Sequence, residues 1–187
     1  PVPDDFAERP NKLVTLGRLL SQKGIDIAVK AAALLRQRGL DFTWLVLGEG
    51  DQRAELETMI HAYGLEHHFI LKGRVANPYP YVAATDIYVQ PSRYEGYSLA
   101  LQEARILAKP IVATDIPSSR EQITDGHDGI LVRPDETALA EGIIRLLNDK
   151  SLCATLSSNL QGGRFDYEDQ VRRLFTLIDD AKGSTRP

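Results

Sequence analysis

The chain is poor in several things, and each shortage removes a class of protein. Its 187 residues include a single cysteine, Cys153, so no internal disulfide can form. That usage fits a reducing compartment, and the expected location is cytoplasmic. No apolar run approaches the ~18 residues that a membrane-crossing helix needs. The first residues, PVPDDFAERPNK, lack the charged-then-apolar order of a secretion signal. Positive charge is scarce too. The formal net charge is −4, so no global basic field draws nucleic acid. Any anionic ligand must be held by local groups.

What the chain does have is alternation. Short apolar runs at 12–17, 42–48, 68–73, 86–91, 110–115 and 129–134 read as strands, with helical patterns between them. In the segment 24–39, Ile25, Val29, Ala32 and Ala33 fall on one helical face. The segment 51–64 opens on an N-cap-type residue, Asp51, and closes on Gly64. Residues 79–85 allow only a short helix, and 136–149, 151–160 and 167–181 carry three more helical patterns. In the last, Val171, Leu174, Phe175 and Ile178 form an apolar stripe. Six continuous apolar strands separated by helices call for a parallel sheet covered on both faces. At 187 residues such a domain buries roughly 70% of its unfolded surface. The expected fold is α/β, a Rossmann-like three-layer sandwich with a mostly parallel six-stranded sheet.

Sheets of this kind bind ligands at the carboxyl ends of their strands, so the polar loops there carry the interest. The first, GRLLSQKG (17–24), puts Arg18 behind the strand and Lys23 at the mouth of the next helix. Two cations beside helix amides suit a diphosphate. The same pair also reads as two solvated surface charges. The second, LGEGDQR (47–53), begins like a dinucleotide fingerprint, but Arg53 stands at the third glycine position. Its glycines fit a tight turn close to a ligand or to a neighbouring loop. After the third strand, Gly73, Arg74 and Val75 could face a flat base with backbone groups, as could any turn.

The fourth loop is the most informative. In PSRYEGYSLALQEA, Glu95 and Gly96 follow the strand, and Ser98 is a good N-cap for the helix after it. Unpaired amides near Leu99 and Ala100 can receive a phosphate. Glu95 lies before the helix and Glu103 more than one turn inside it. Carboxylates accept hydrogen bonds, and a bidentate acceptor suits a vicinal diol. One glutamate at each end of a phosphate group matches a sugar–diphosphate–nucleoside. An exposed loop glutamate plus a solvated helix glutamate is the plainer alternative.

These residues resemble a family. YEGYSLALQEA is similar to the E-x7-E motif of the retaining GT-B glycosyltransferases of group 1, and GRLLSQKGID to that family's diphosphate loop. VLGEGDQRAELE, LKGRV, YVAATDIYVQPSRYEG and TDIPSSREQITDGHDGILVRPDE follow at family spacing, so the resemblance covers about residues 11–180. It implies that Arg18 and Lys23 hold the donor diphosphate, capped by the amides around Ser98 and Leu99, with Gly96 and Tyr97 also among the donor-binding residues. Glu103 would bind ribose hydroxyls and Glu95 those of the transferred sugar, with Gly73, Arg74 and Val75 lining the base slot. Two stretches depart from the family. PSSRE (117–121) stands where a glycine-rich stretch is common, and DGHDG (125–129) carries His127 and Asp128 in a turn often held by Asn. Both read as turn chemistry.

The resemblance also implies that the chain is half of an enzyme. Residues 1–10 look like an interdomain linker, 11–165 like the donor domain, and 166–187 like a C-terminal helix and tail. An N-terminal GT-B domain with the acceptor would be the partner, and any membrane association would come through it. The implied reaction moves a sugar with retention from a UDP- or GDP-sugar to a saccharide or lipid-linked acceptor. GT-A families hold a divalent metal with D-x-D; this chain has no D-x-D, so no metal and no other cofactor are expected. Two alternatives stay open. A non-catalytic nucleotide- or protein-binding α/β module would not need both glutamates. Half of a GT-B-type sugar-nucleotide epimerase would need further acid/base residues that the sequence does not place.

Overall fold

The computed structural model describes Phe6 and residues 8–162. The strands are β1 (Lys12–Leu16), β2 (Thr43–Leu47), β3 (Phe69–Gly73), β4 (Ile87–Gln90), β5 (Ile111–Thr114) and β6 (Ile130–Val132). They form one sheet in the order β3-β2-β1-β4-β5-β6, and every pairing is parallel. The expected sheet is therefore found, and it is wholly rather than mostly parallel. Between and after the strands run α1 (Ile25–Gln37), α2 (Arg53–Ala62), α3 (Tyr79–Ala84), α4 (Leu99–Ile106), α5 (Pro117–Arg120), α6 (Glu136–Asn148) and α7 (Lys150–Gly162). A single 3₁₀ turn, Ser21–Lys23, precedes α1.

Strand side chains alternate between faces, and the core divides accordingly. Leu13, Trp44, Val46, Ile87, Val89 and Val112 pack against α1, α2 and α6. Val14, Leu45, Leu47, Tyr88, Ile111 and Ala113 pack against Val82 of α3 and Leu101 and Ala104 of α4. Both faces need apolar cover, which is why the strands read as unbroken apolar runs. Trp44 is fully buried, its ring centroid 5.1 Å from that of Phe69. Burying an indole of that size stabilises by roughly 4–6 kcal/mol on transfer scales. Phe6, expected in a linker, is buried in the second face beside Tyr81. The helical stripe around Val171 lies outside the described residues.

Two local expectations change. Asp51 does not cap α2; Gln52 holds that position without a side-chain bond, because Gln52 N donates to Leu19 O and ties the turn to its neighbour. Residues 117–120, read as a turn, form the short helix α5, with Pro117 supplying a helix-compatible φ in its first turn. The 125–129 turn behaves as read. Gly126 takes φ +71°, Asp125 and Asp128 accept from the amides of Leu131 and Thr124, and Asp128 also accepts from Arg105.

The functional consequence lies between β1 and β4. Successive strands are added on one side of β1 up to β3 and on the other from β4 onward, and the β1–β4 ladder covers only Leu13↔Ile87 and Val14↔Tyr88. The β1–β2 ladder, by contrast, continues to Leu16↔Leu47. Past Val14 the hydroxyl of Thr15 reaches the Val89 carbonyl instead, at 2.8 Å. A crevice at this switch point is where open parallel sheets take their ligands.

Candidate functional site

Two adjoining cavities open at the carboxyl edge of β1 and share Leu16 as a wall. The larger, about 340 Å³, is lined by Gly17, Arg18, Gln22 and Lys23 on one side and by Glu95, Tyr97, Ser98, Leu99 and Ala100 on the other. The smaller, about 210 Å³, is lined by Leu47, Gly48, Arg74, Val75, Pro78 and Glu103. Glu95 and Glu103 thus line different cavities, Glu95 with the α4 N-terminus and Glu103 from inside α4. Gly73 and Gly96, expected at the site, line neither cavity. The Gly73 carbonyl accepts from the amide of Gly48, a lining residue of the smaller cavity, at 2.9 Å.

Ser98 caps α4 as its sequence suggests, its Oγ accepting from Leu101 N at 3.2 Å. The amides of Leu99 and Ala100 remain unpaired among the described residues, as a first helical turn leaves them. They face the larger cavity with the positive end of the helix dipole behind them. Arg18 is exposed and has no ion-pair partner among the described residues. Lys23 is different. Its Nζ donates to Glu95 Oε1 at 2.5 Å, and the two side chains are only 15% and 7% exposed.

Glu95 Oε1 also accepts from Ser92 Oγ at 2.8 Å and Gln90 Nε2 at 3.2 Å. Gln90 in turn accepts from the Tyr88 hydroxyl at 2.7 Å. Burial pushes the Tyr88 phenol far above its ordinary value, so it stays protonated and donates. Thr114 Oγ1 holds the Ser92 carbonyl at 2.5 Å. The carboxylate is therefore gripped from behind by a buried polar chain. In the smaller cavity Glu103 accepts from Tyr79 OH at 3.3 Å, and the glutamate's charge raises the tyrosine's pKa.

Sequence reasoning missed Gln90, Ser92 and Tyr79. A polar residue ending an otherwise apolar strand was the visible sign for Gln90. The glycines of the GEG stretch serve the neighbouring loop. A Cβ on Gly48 would lie 1.9 Å from Gly17 O, and one on Gly50 would lie 2.4 Å from Leu19 O. Close backbone packing of the β1 and β2 loops is their reason.

Chemically, the arrangement offers a seat lined by Arg18, Lys23 and the α4 amides, with Glu95 in the same cavity and Glu103 in the adjoining one. The model for glycosyl transferases group 1 matches residues 3–162. The chain belongs to the group 1 glycosyltransferases. An alpha-D-kanosaminyltransferase of Streptomyces kanamyceticus is 32% identical over 147 residues, covering 77% of this chain and 38% of the relative. The chain thus spans about two-fifths of the length of the curated relatives it matches. Anabaena HepE in complex with UDP superposes with a TM-score of 0.82 at 25% identity, over 91% of this chain and 49% of HepE. The C-terminal domain of a group 1 family protein, LpcC of Francisella tularensis, matches at 0.77 and 27% identity, over 88% of this chain and 90% of that one. The fold is that of a GT-B C-terminal domain. No helix among the described residues is long and apolar enough to cross a membrane.

Proposed function

We propose that this chain is the donor-binding half of a retaining glycosyltransferase that takes a UDP- or GDP-sugar without a metal. The observation that carries the reading is the pair of adjoining cavities that share Leu16, with Glu95, Arg18 and the α4 amides in the larger and Glu103 in the smaller. A nucleoside diphosphate sugar fits that order of chemistry: base and ribose toward Arg74, Val75 and Glu103, diphosphate at Arg18 and the α4 amides, sugar toward Glu95. UDP bound in the similar HepE favours the uridine donor.

The difficult event in such a transfer is departure of the diphosphate, whose charge must be met where it develops. Arg18, Lys23 and the amides of Leu99 and Ala100 are the groups available for that. The departing phosphate would assist deprotonation of the acceptor on the same face of the sugar, which gives retention. A second GT-B domain would bring the saccharide or lipid-linked acceptor and orient it, a contribution that supplies much of the rate.

Calorimetry of the chain with UDP, GDP, ATP and NAD, with and without EDTA, tests this. Binding of UDP or GDP with a dissociation constant of roughly 10 μM to 1 mM is expected, since one wall of the cleft belongs to the second domain. Chelator should change nothing. Equal or tighter binding of ATP or NAD, or metal-dependent binding, overturns the reading.

A further inference from the structure

The two loops that build the larger cavity are tied together by Arg93 and Asp26. Arg93 belongs to the β4–α4 loop, two residues before Glu95; Asp26 stands in the first turn of α1, three residues after Lys23. The guanidinium fork meets both carboxylate oxygens, Nη1 to Oδ1 at 2.7 Å and Nη2 to Oδ2 at 2.6 Å. Nη1 also donates to Ser21 O, and Arg93 N donates to Gln22 O, each at 2.8 Å. Two of these four hydrogen bonds grip the turn that carries Lys23, and two grip the start of the helix just after it.

The sheet itself does not hold these loops in register, since the β1–β4 ladder stops at Val14↔Tyr88. Beyond it the strands feed a crevice whose width must be set by other contacts. A lysine at position 93 could supply charge but not the planar two-point grip. The clasp is tight enough to matter electrostatically: the Arg93 hydrogen bond is the largest cause holding the Asp26 carboxyl below its ordinary range.

We propose that Arg93 is a positioning residue, locked on Asp26 so that Lys23 meets Glu95 and the diphosphate-sugar end of the cavity keeps its shape. The part concerning ligand rests on the donor-binding reading above; the part concerning Lys23 does not. Arg93 touches no ligand in this scheme. It acts through the pair it aligns.

The test uses the 187-residue chain and three variants, Arg93→Ala, Arg93→Lys and Asp26→Asn, each checked for a melting temperature within about 5 °C of the parent. Lys23 reactivity is read without ligand, by reductive methylation and peptide mass mapping. Parent Lys23 should label slowly, and all three variants should label it about fivefold faster or more once the charge-assisted grip is lost. Calorimetry with UDP-glucose, UDP and uridine follows. Losses of about tenfold for UDP-glucose and UDP, with uridine binding within twofold of the parent, are expected. The Arg93→Ala, Asp26→Asn double variant should be no worse than Arg93→Ala alone. Unchanged Lys23 labelling in variants that fold overturns the clasp, and so does an equal loss for uridine. If the parent binds none of the three probes, the donor-binding reading with a uridine nucleotide falls, while the labelling result still decides the clasp. Should Arg93→Ala fail to fold, Arg93→Lys and Asp26→Asn carry the same comparison.

Discussion

Lys23 Nζ lies 2.5 Å from Glu95 Oε1, joining two loops 72 residues apart in the chain. The sequence suggests separate duties for these residues, a cation for phosphate and a carboxylate for sugar. In the fold they are one unit, and their charges largely neutralise each other. Removing one partner strands the other in a poorly hydrated place. Lys23→Ala should therefore lower the unfolding free energy by about 1–3 kcal/mol in urea denaturation. Adding Glu95→Gln should recover part of that loss, because the stranded charge is gone. A single variant as stable as the parent would show a loose pair.

Arg18 offers the contrast. It is exposed and unpaired among the described residues, so Arg18→Ala should leave stability within about 0.5 kcal/mol. Nucleoside diphosphate binding should weaken by about 1.5–3 kcal/mol, with the parent nucleoside unaffected. Calorimetry on UDP and uridine checks both statements. Equal losses for the two would remove Arg18 from the phosphate.

The two glutamates should separate by ligand. Glu103→Gln weakens an acceptor in the smaller cavity and should reduce binding of UDP and UDP-sugar alike. Glu95→Gln should leave UDP within threefold of the parent and reduce UDP-sugar binding by about tenfold. The reverse pattern would mean the ligand lies the other way round.

Gly24 cannot take a side chain. Its φ is +63°, and a Cβ would stand 2.0 Å from Pro91 O. Gly24→Ala should cost at least about 2 kcal/mol, combining left-handed strain with displacement of the β4–α4 loop. Denaturation measures it, and a loss below 1 kcal/mol would show that the loops part easily.

Asp26 makes an acid-limb prediction. Its folded pKa is below the ordinary 3.8, chiefly through the Arg93 hydrogen bond. The folded state therefore binds this proton less readily than the unfolded chain does. Its stabilising contribution is complete above the unfolded pKa and is lost as pH falls through the folded one. Below about pH 4, the parent's stability should fall more steeply with acid than that of Asp26→Asn. Parallel curves from urea melts at several pH values would contradict the clasp's charge.

Much of the architecture was legible because it is written locally. A strand buried on both faces must be apolar at successive positions, so LVTL, WLVL and IYV declare themselves without any knowledge of their neighbours. Ser98 caps α4 through a hydroxyl and an amide three residues apart, a relation contained in one turn of chain. Arg18, Lys23 and Glu95 were likewise visible as polar residues after strand ends, where a parallel sheet presents its loops, and Glu103 as a carboxylate in the helix that follows.

Which of those residues touch is another matter. β1 and β4 become neighbours only through the order β3-β2-β1-β4-β5-β6, and short apolar runs carry no mark of sheet order. The Lys23–Glu95 pair, the Arg93–Asp26 clasp and the Gln90–Ser92 support behind Glu95 bring together groups whose roles cannot be read without that adjacency. The same holds for Gly73, whose carbonyl is spent on Gly48, and for Gly48 and Gly50, which make room for the β1 loop. Periodicity and capping follow from neighbours a few residues along the chain, so the sequence by itself determined the elements and the loops at the carboxyl edge of the sheet. Charge pairing and close backbone contact depend on distances across the sheet, and those the tertiary structure alone decided.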